Sequence, residues 1–144
     1  MKNYPVFFGL ALTFFIAGSL FTSARQQQEP GYILEHEKDI SQAETGPHKG
    51  GGSTTAFKFF TKAAESKLDF RKRVLHPGSA IGYHLQKEEE IYYIDSGTGE
   101  SQMNGKSFIV TAGDAILTHP GNWHGLKQTG TDDLVVIIVY EKKK

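Results

Sequence analysis

From Ala56 to Tyr140 the chain is a succession of short strand-like stretches, each closed by a turn-forming cluster. "AFKFF" and "LDFRKRVL" alternate polar with apolar residues, and "AIGYHLQ", "EIYYI", "ESQM", "SFIV", "AILT" and "WHGLKQ" follow at regular intervals. Between them stand "HPGS", "DSGTG", "NGK", "TAGD", "HPGN" and "TGTDD". A period of two puts alternate side chains on opposite faces of a strand, so one face can be buried and the other solvated. Asn104-Gly105 is the dipeptide of a tight hairpin, because both residues accept positive φ. No stretch carries a sustained helical period; "TKAAESK" (Thr61 to Lys67) is the nearest helical candidate, and it is short. Strands at this spacing predict an all-β domain, a small antiparallel barrel or sandwich. The nearly unbroken "LVVIIVY" (Leu134 to Tyr140) predicts a strand covered on both faces.

The 144 residues suffice for one domain with a real core and not for two. Sixteen basic residues balance sixteen acidic ones, so the basic footprint of a nucleic-acid binder is missing. With no cysteine, disulfides, thiolate metal sites, a cysteine nucleophile and a lipid-bearing N-terminal cysteine are all excluded. After Lys2 no charge occurs until Arg25, and "VFFGLALTFFIAGSLF" (Val6 to Phe21) precedes the small residues "TSA". That is the layout of a secretory signal peptide over residues 1–24, and it predicts export to the periplasm or beyond the cell. The alternative is an uncleaved membrane anchor, since about 20 apolar residues span a bilayer. Residues 25–55 are polar, with the glycine-rich "GPHKGGGSTT" (Gly46 to Thr55), and read as an extended arm or linker in which "YIL" (Tyr32 to Leu34) offers an edge strand. His36 and His48 lie in this arm and read as solvated loop histidines. The barrel proper is expected over 56–144.

One constellation carries chemistry. His84 and Gln86 share a strand face, and Glu90, Tyr92 and Ile94 share one on the next strand, with "KEE" (Lys87 to Glu89) as a charged connection. If these faces meet inside the barrel, an imidazole, an amide and a carboxylate converge. A buried carboxylate needs a partner, and a cation would provide it. The remaining candidate ligand is His124, in "GDAILTHPGNWHGL" (Gly113 to Leu126).

These residues resemble the two motifs of the cupin superfamily, single-domain type. The first is G(X)5HXH(X)3-4E(X)6G, matched by Gly78, His84, Glu90 and Gly97, with Gln86 where the second histidine usually stands. The second is G(X)5PXG(X)2H(X)3N, matched by Gly113, Gly121 and His124, with His119 in the proline position and Gln128 in that of the final asparagine. The resemblance implies a small jelly-roll barrel (a double-stranded β-helix), paired as a homodimer, with a site in the barrel mouth. It carries the metal-ligand role over to His84, Glu90 and His124, with Gln86 as a fourth, weaker donor through its amide oxygen. The implied cofactor is a divalent transition metal: manganese, iron, nickel, copper or zinc. Two histidines and a carboxylate are also the ligand count of non-haem iron oxygenases. Two functions follow from different classes. One is an isomerase or dioxygenase acting on a small oxygen-bearing molecule, with Glu90 alternating between ligand and general base. The other is a non-catalytic module that captures a small molecule, sugar-like, in a polar pocket. Tyr92, His119 and Trp123 are the candidate pocket-wall residues, with packing as the competing role for Tyr92 and Trp123.

Overall fold

A computed structural model of the chain describes residues 31–142; the expected signal peptide lies outside them. Among the described residues, no helix is long and apolar enough to cross a membrane. A single helical turn, α1 (Glu37–Ile40), precedes ten strands: β1 (Ser41–Thr45), β2 (Ser53–Phe59), β3 (Leu68–Leu75), β4 (Ala80–Leu85), β5 (Glu90–Ser96), β6 (Thr98–Met103), β7 (Lys106–Thr111), β8 (Ala115–Thr118), β9 (Trp123–Gln128) and β10 (Leu134–Glu141). They form a six-stranded sheet in the order β1-β2-β3-β10-β5-β8 and a four-stranded sheet in the order β4-β9-β6-β7. Every pairing is antiparallel. The two sheets make the expected all-β jelly roll.

Side-chain alternation decides what lies between the sheets. Along β5 the buried residues are Glu90, Tyr92 and Ile94, and the exposed ones between them are Ile91 and Tyr93. β10 runs between β3 and β5, pairing with β3 from Leu134↔Leu75 to Glu141↔Leu68. Its Leu134, Val136 and Ile138 join Leu75, Ile81, Tyr92, Ile94, Val110 and Leu126 in one core. Each aliphatic side chain fully buried there contributes roughly 1.5–3 kcal/mol. The other face of β10 differs from expectation: Val135, Ile137 and Val139 are only partly covered. An unbroken apolar run does not by itself place a second layer over a sheet, and none covers that face among the described residues.

The N-terminal boundary also differs. β1, the outer strand of the six-stranded sheet, pairs with β2 from Ser41↔Phe57 to Thr45↔Ser53, so the sheet begins well before Ala56. "SQAET" has no apolar face and gave no strand signal. It is held instead by Glu44, which accepts hydrogen bonds from Lys58 Nζ and from Arg73 Nη2 at 3.0 Å, while Thr54 Oγ1 donates to the Glu44 carbonyl at 3.0 Å. Tyr32 to Leu34 form no strand and are exposed, and Thr61 to Lys67 form turns rather than a helix.

Candidate metal centre

His84 and His124 are directly opposed register partners on β4 and β9, neighbours in the four-stranded sheet. Glu90 opens β5 in the facing sheet. Its inward parity, shared with Tyr92 and Ile94, aims the carboxylate across the sandwich at the two imidazoles. One donor atom from each residue lies within 4.8 Å of the others. The two Nε2 atoms are 3.2 Å apart, and His124 Nε2 is 3.2 Å from Glu90 Oε2.

An outer nitrogen settles the tautomer of His84. His84 Nδ1 is 2.8 Å from the Gly82 carbonyl, which can only accept, so Nδ1 carries the proton and Nε2 presents a lone pair. His124 Nδ1 is 3.2 Å from Thr118 Oγ1. In the tautomer that donates to Thr118, His124 also turns a lone pair inward. This is the outer-partner arrangement that orients metal-ligating histidines. Glu90 Oε2 is buried and has no hydrogen-bond partner, although His124 Nε2 lies 3.2 Å away. In that tautomer two lone pairs and an orphaned carboxylate oxygen converge. A buried carboxylate oxygen left without a partner is costly, and a divalent cation with nitrogen and oxygen ligands satisfies all three donors at once. The residues fit such a metal.

Electrostatics point the same way. Burial holds the His84 imidazole below its ordinary pKa; its bond to Gly82 partly opposes this, and neighbouring His124 adds to it. The neutral imidazole is the form that binds metal. Burial also pushes the Tyr92 hydroxyl well above its usual range, with the Glu90 charge adding to the effect, so Tyr92 keeps its proton.

His84 and Glu90 of this group line a cavity of about 180 Å³ together with Gln86, Tyr92, Ile81, Ile138, Pro47, His48, Glu88, Arg71, Arg73 and Tyr140. Gln86 is buried there, and its backbone ties the two motif turns together: its N–H donates to the Asn122 carbonyl, and its carbonyl accepts from Gly121 N–H, both at 2.9 Å. Tyr92 forms both wall and core, with its ring 5.1 Å from that of His124. The other two candidate wall residues lie elsewhere. Trp123 is the neighbour of His124 on β9, so strand alternation turns it outward, where it packs beside Tyr83. His119 is exposed in the turn before β9, with Nδ1 2.9 Å from Glu89 Oε1. Gln128, in the position of the motif's asparagine, is a fastener: Oε1 accepts from Gly78 N–H at 2.9 Å, and Nε2 donates to the Gly130 and Asp132 carbonyls.

Sequence reasoning missed three contributions. Arg71 and Arg73 reach the cavity wall from β3; counting back by twos from buried Leu75 places both on the inner face. Arg73 is buried, donating to Thr54 Oγ1 at 2.8 Å and to Glu44, while Arg71 is bonded to Asp69 and to the Tyr140 hydroxyl. Tyr140 comes from the end of β10. His48 comes from the arm, and its ring lies face to face with that of His84, with centroids 3.5 Å apart and planes 4° from parallel. No local signal distinguished it from a solvated loop histidine.

Two facing antiparallel sheets with a His–Glu–His group between them define a β-sandwich protein with a candidate metal centre. Residues 72–140 match the Cupin domain family. An oxalate-binding protein of Thermotoga maritima is 41% identical over 71 residues, 49% of this chain and 59% of that protein. A 5-nitrosalicylic acid 1,2-dioxygenase of Bradyrhizobium is 23% identical over 117 residues, 81% of this chain and 50% of that one. The chain thus spans 59% and 50% of the length of these two relatives. A Thermotoga maritima structure described as a predicted oxalate decarboxylase superposes with a TM-score of 0.71 at 30% identity, covering 77% of this chain and all of that one. The chain belongs to the cupin superfamily.

Proposed function

We propose that the protein holds a divalent transition metal on His84, Glu90 and His124 and uses it to capture a compact oxygen-bearing molecule, a small carboxylate of the size of oxalate. The observation that carries this reading is the orphaned, buried Glu90 oxygen facing the inner nitrogens of two histidines. A bound cation would supply a Lewis-acidic position for one oxygen of the ligand. The chain's own residues do the rest. A cavity of about 180 Å³ has room for only about six waters and is smaller than the pockets of drug-sized ligands. Arg71 and Arg73 stand in the wall on the β3 side, paired with Asp69 and Glu44, and bring fixed N–H donors that suit an oxygen-bearing ligand. Tyr92 keeps its proton beside the carboxylate, and apolar Ile81 and Ile138 limit water. The relative named for oxalate binding supports the ligand class.

The alignment with a dioxygenase, which extends over 81% of this chain, favours a second reading in which the captured molecule is turned over. Glu90 is then the group placed to accept a proton. The two readings separate in one experiment. Purified protein is stripped of metal, reloaded with manganese, iron, nickel, copper or zinc in turn, and titrated calorimetrically with oxalate while product and oxygen consumption are followed. Metal-dependent binding without turnover supports capture, and turnover supports the enzyme. A protein that retains none of these metals overturns both.

A further inference from the structure

The segment that enters the cavity from the arm is built against the barrel. β4 is an outer strand of the four-stranded sheet, and its free edge is occupied by residues 46–52: Gly82 N–H donates to the Pro47 carbonyl at 2.9 Å, and Ala80 N–H to the Gly51 carbonyl at 3.3 Å. The approach is so close that glycine is required at three places. A Cβ on Gly46 or Gly50 would meet the Ala80 carbonyl oxygen at 2.1 or 2.0 Å, and one on Gly82 would meet the His48 carbonyl oxygen at 2.1 Å. His48 and Lys49 both adopt left-handed backbone, at φ 53° and 63°. Such a conformation persists in non-glycine residues where the surroundings over-determine it. Its result is that the His48 ring lies flat on the outer face of the His84 ring. The β4–β9 ladder is irregular between Ile81 and His84 and resumes at the His84↔His124 pair, which sets the backbone but not the ring. The Gly82 bond and the His48 stack hold its outer nitrogen and one ring face, beside the contact with His124.

Resting on the metal reading above, we propose that the strap of residues 46–52 is part of the metal site, and that His48 is a positioning residue that holds the His84 imidazole in its ligating orientation. Strap and metal are therefore coupled: the docked strap tightens the metal, and the metal keeps the strap docked. Zinc affinity of the full chain, measured by chelator competition, should fall by about ten- to a hundredfold in His48→Ala and return to within about threefold of wild type in His48→Phe, which keeps a flat ring and loses the nitrogens. The visible absorption of the cobalt-loaded protein should change in His48→Ala and revert in His48→Phe. Tryptic cleavage after Lys49 gives a readout independent of the substitutions: saturating zinc should slow it in wild type and leave it unchanged in His84→Ala. Unaltered zinc affinity and cobalt spectrum in His48→Ala, or cleavage after Lys49 indifferent to bound zinc, overturns the coupling and leaves the metal reading standing. Failure of His48→Phe to recover affinity overturns the stacking role in favour of the ring nitrogens. A wild type that takes up neither zinc nor cobalt overturns the metal reading and this inference with it.

Discussion

At the scale of single residues, the altered ligand position is the most informative. Gln86 is buried on the cavity wall, where a neutral amide oxygen is a weaker donor to a borderline cation than imidazole nitrogen. Gln86→His should raise metal retention through dialysis by about tenfold, the scale on which outer partners of metal ligands act, as metal analysis of the dialysed protein will show. Glu90 makes a sharper case. Its buried oxygen lacks a partner, so the charge is a burden to the metal-free fold and an asset to the loaded one. Glu90→Gln should therefore raise the melting temperature of the metal-free protein and abolish the increment that added metal gives. Calorimetric scans with and without metal test both halves. A drop in metal-free stability would mean that the carboxylate is satisfied without a cation.

At the scale of elements, the arm matters because of one ion pair. Arg73 is buried, and Glu44 on β1 supplies its only carboxylate among the described residues. Removing one partner of a fully buried pair costs about 3–5 kcal/mol; with Glu44 partly exposed, Glu44→Ala should cost less, about 2 kcal/mol by urea denaturation. A chain beginning at Ser53 loses the same partner and all of β1, and should melt well below the full chain. The hydrogen bond from Lys58, aided by Arg73 and opposed by burial, holds the Glu44 carboxyl below its ordinary value of 4.5. A depressed folded-state pKa contributes stability that is complete above the unfolded value and lost as pH falls through the folded one. The stability gap between wild type and Glu44→Ala should thus be constant above about pH 5 and shrink below 4.5. A gap independent of pH down to acid unfolding would remove the charge from the account.

At the scale of the whole molecule, two expectations concern residues and faces that the barrel leaves open. The outer face of the six-stranded sheet exposes Leu68, Ile91, Tyr93 and Leu117 around a groove edged by Lys67, Lys87, Glu89 and Glu141. A homodimer covering this face is expected, and Leu117→Asp should shift the sedimentation coefficient to that of a monomer; a wild type that is monomeric at tens of micromolar, on the order of the concentrations where weak dimers form, counts against it. The apolar run before "TSA" predicts export with cleavage near Arg25. N-terminal sequencing of protein from the native host should begin there, and intact Met1 in the soluble cytoplasmic fraction would contradict it.

The all-β jelly roll and three of the candidate ligands were legible in the sequence because both rest on local regularities. Turn residues mark where strands end, and a period of two assigns His84, Glu90 and His124 to inner faces once the strands are known. The same parity turns Trp123 outward, and counted back from Leu75 it places Arg71 and Arg73 inside. What only the tertiary structure decided involves partners far apart in the chain. β1 is a strand because Arg73, twenty-nine residues beyond Glu44, needs its carboxylate, and no hydrophobic pattern in "SQAET" records that need. Polar residues beside a glycine run look alike whether they meet solvent or a barrel edge. His48 became part of the candidate metal site because Gly46, Gly50 and Gly82 let two backbones touch, a packing that exists only once the sheets have assembled.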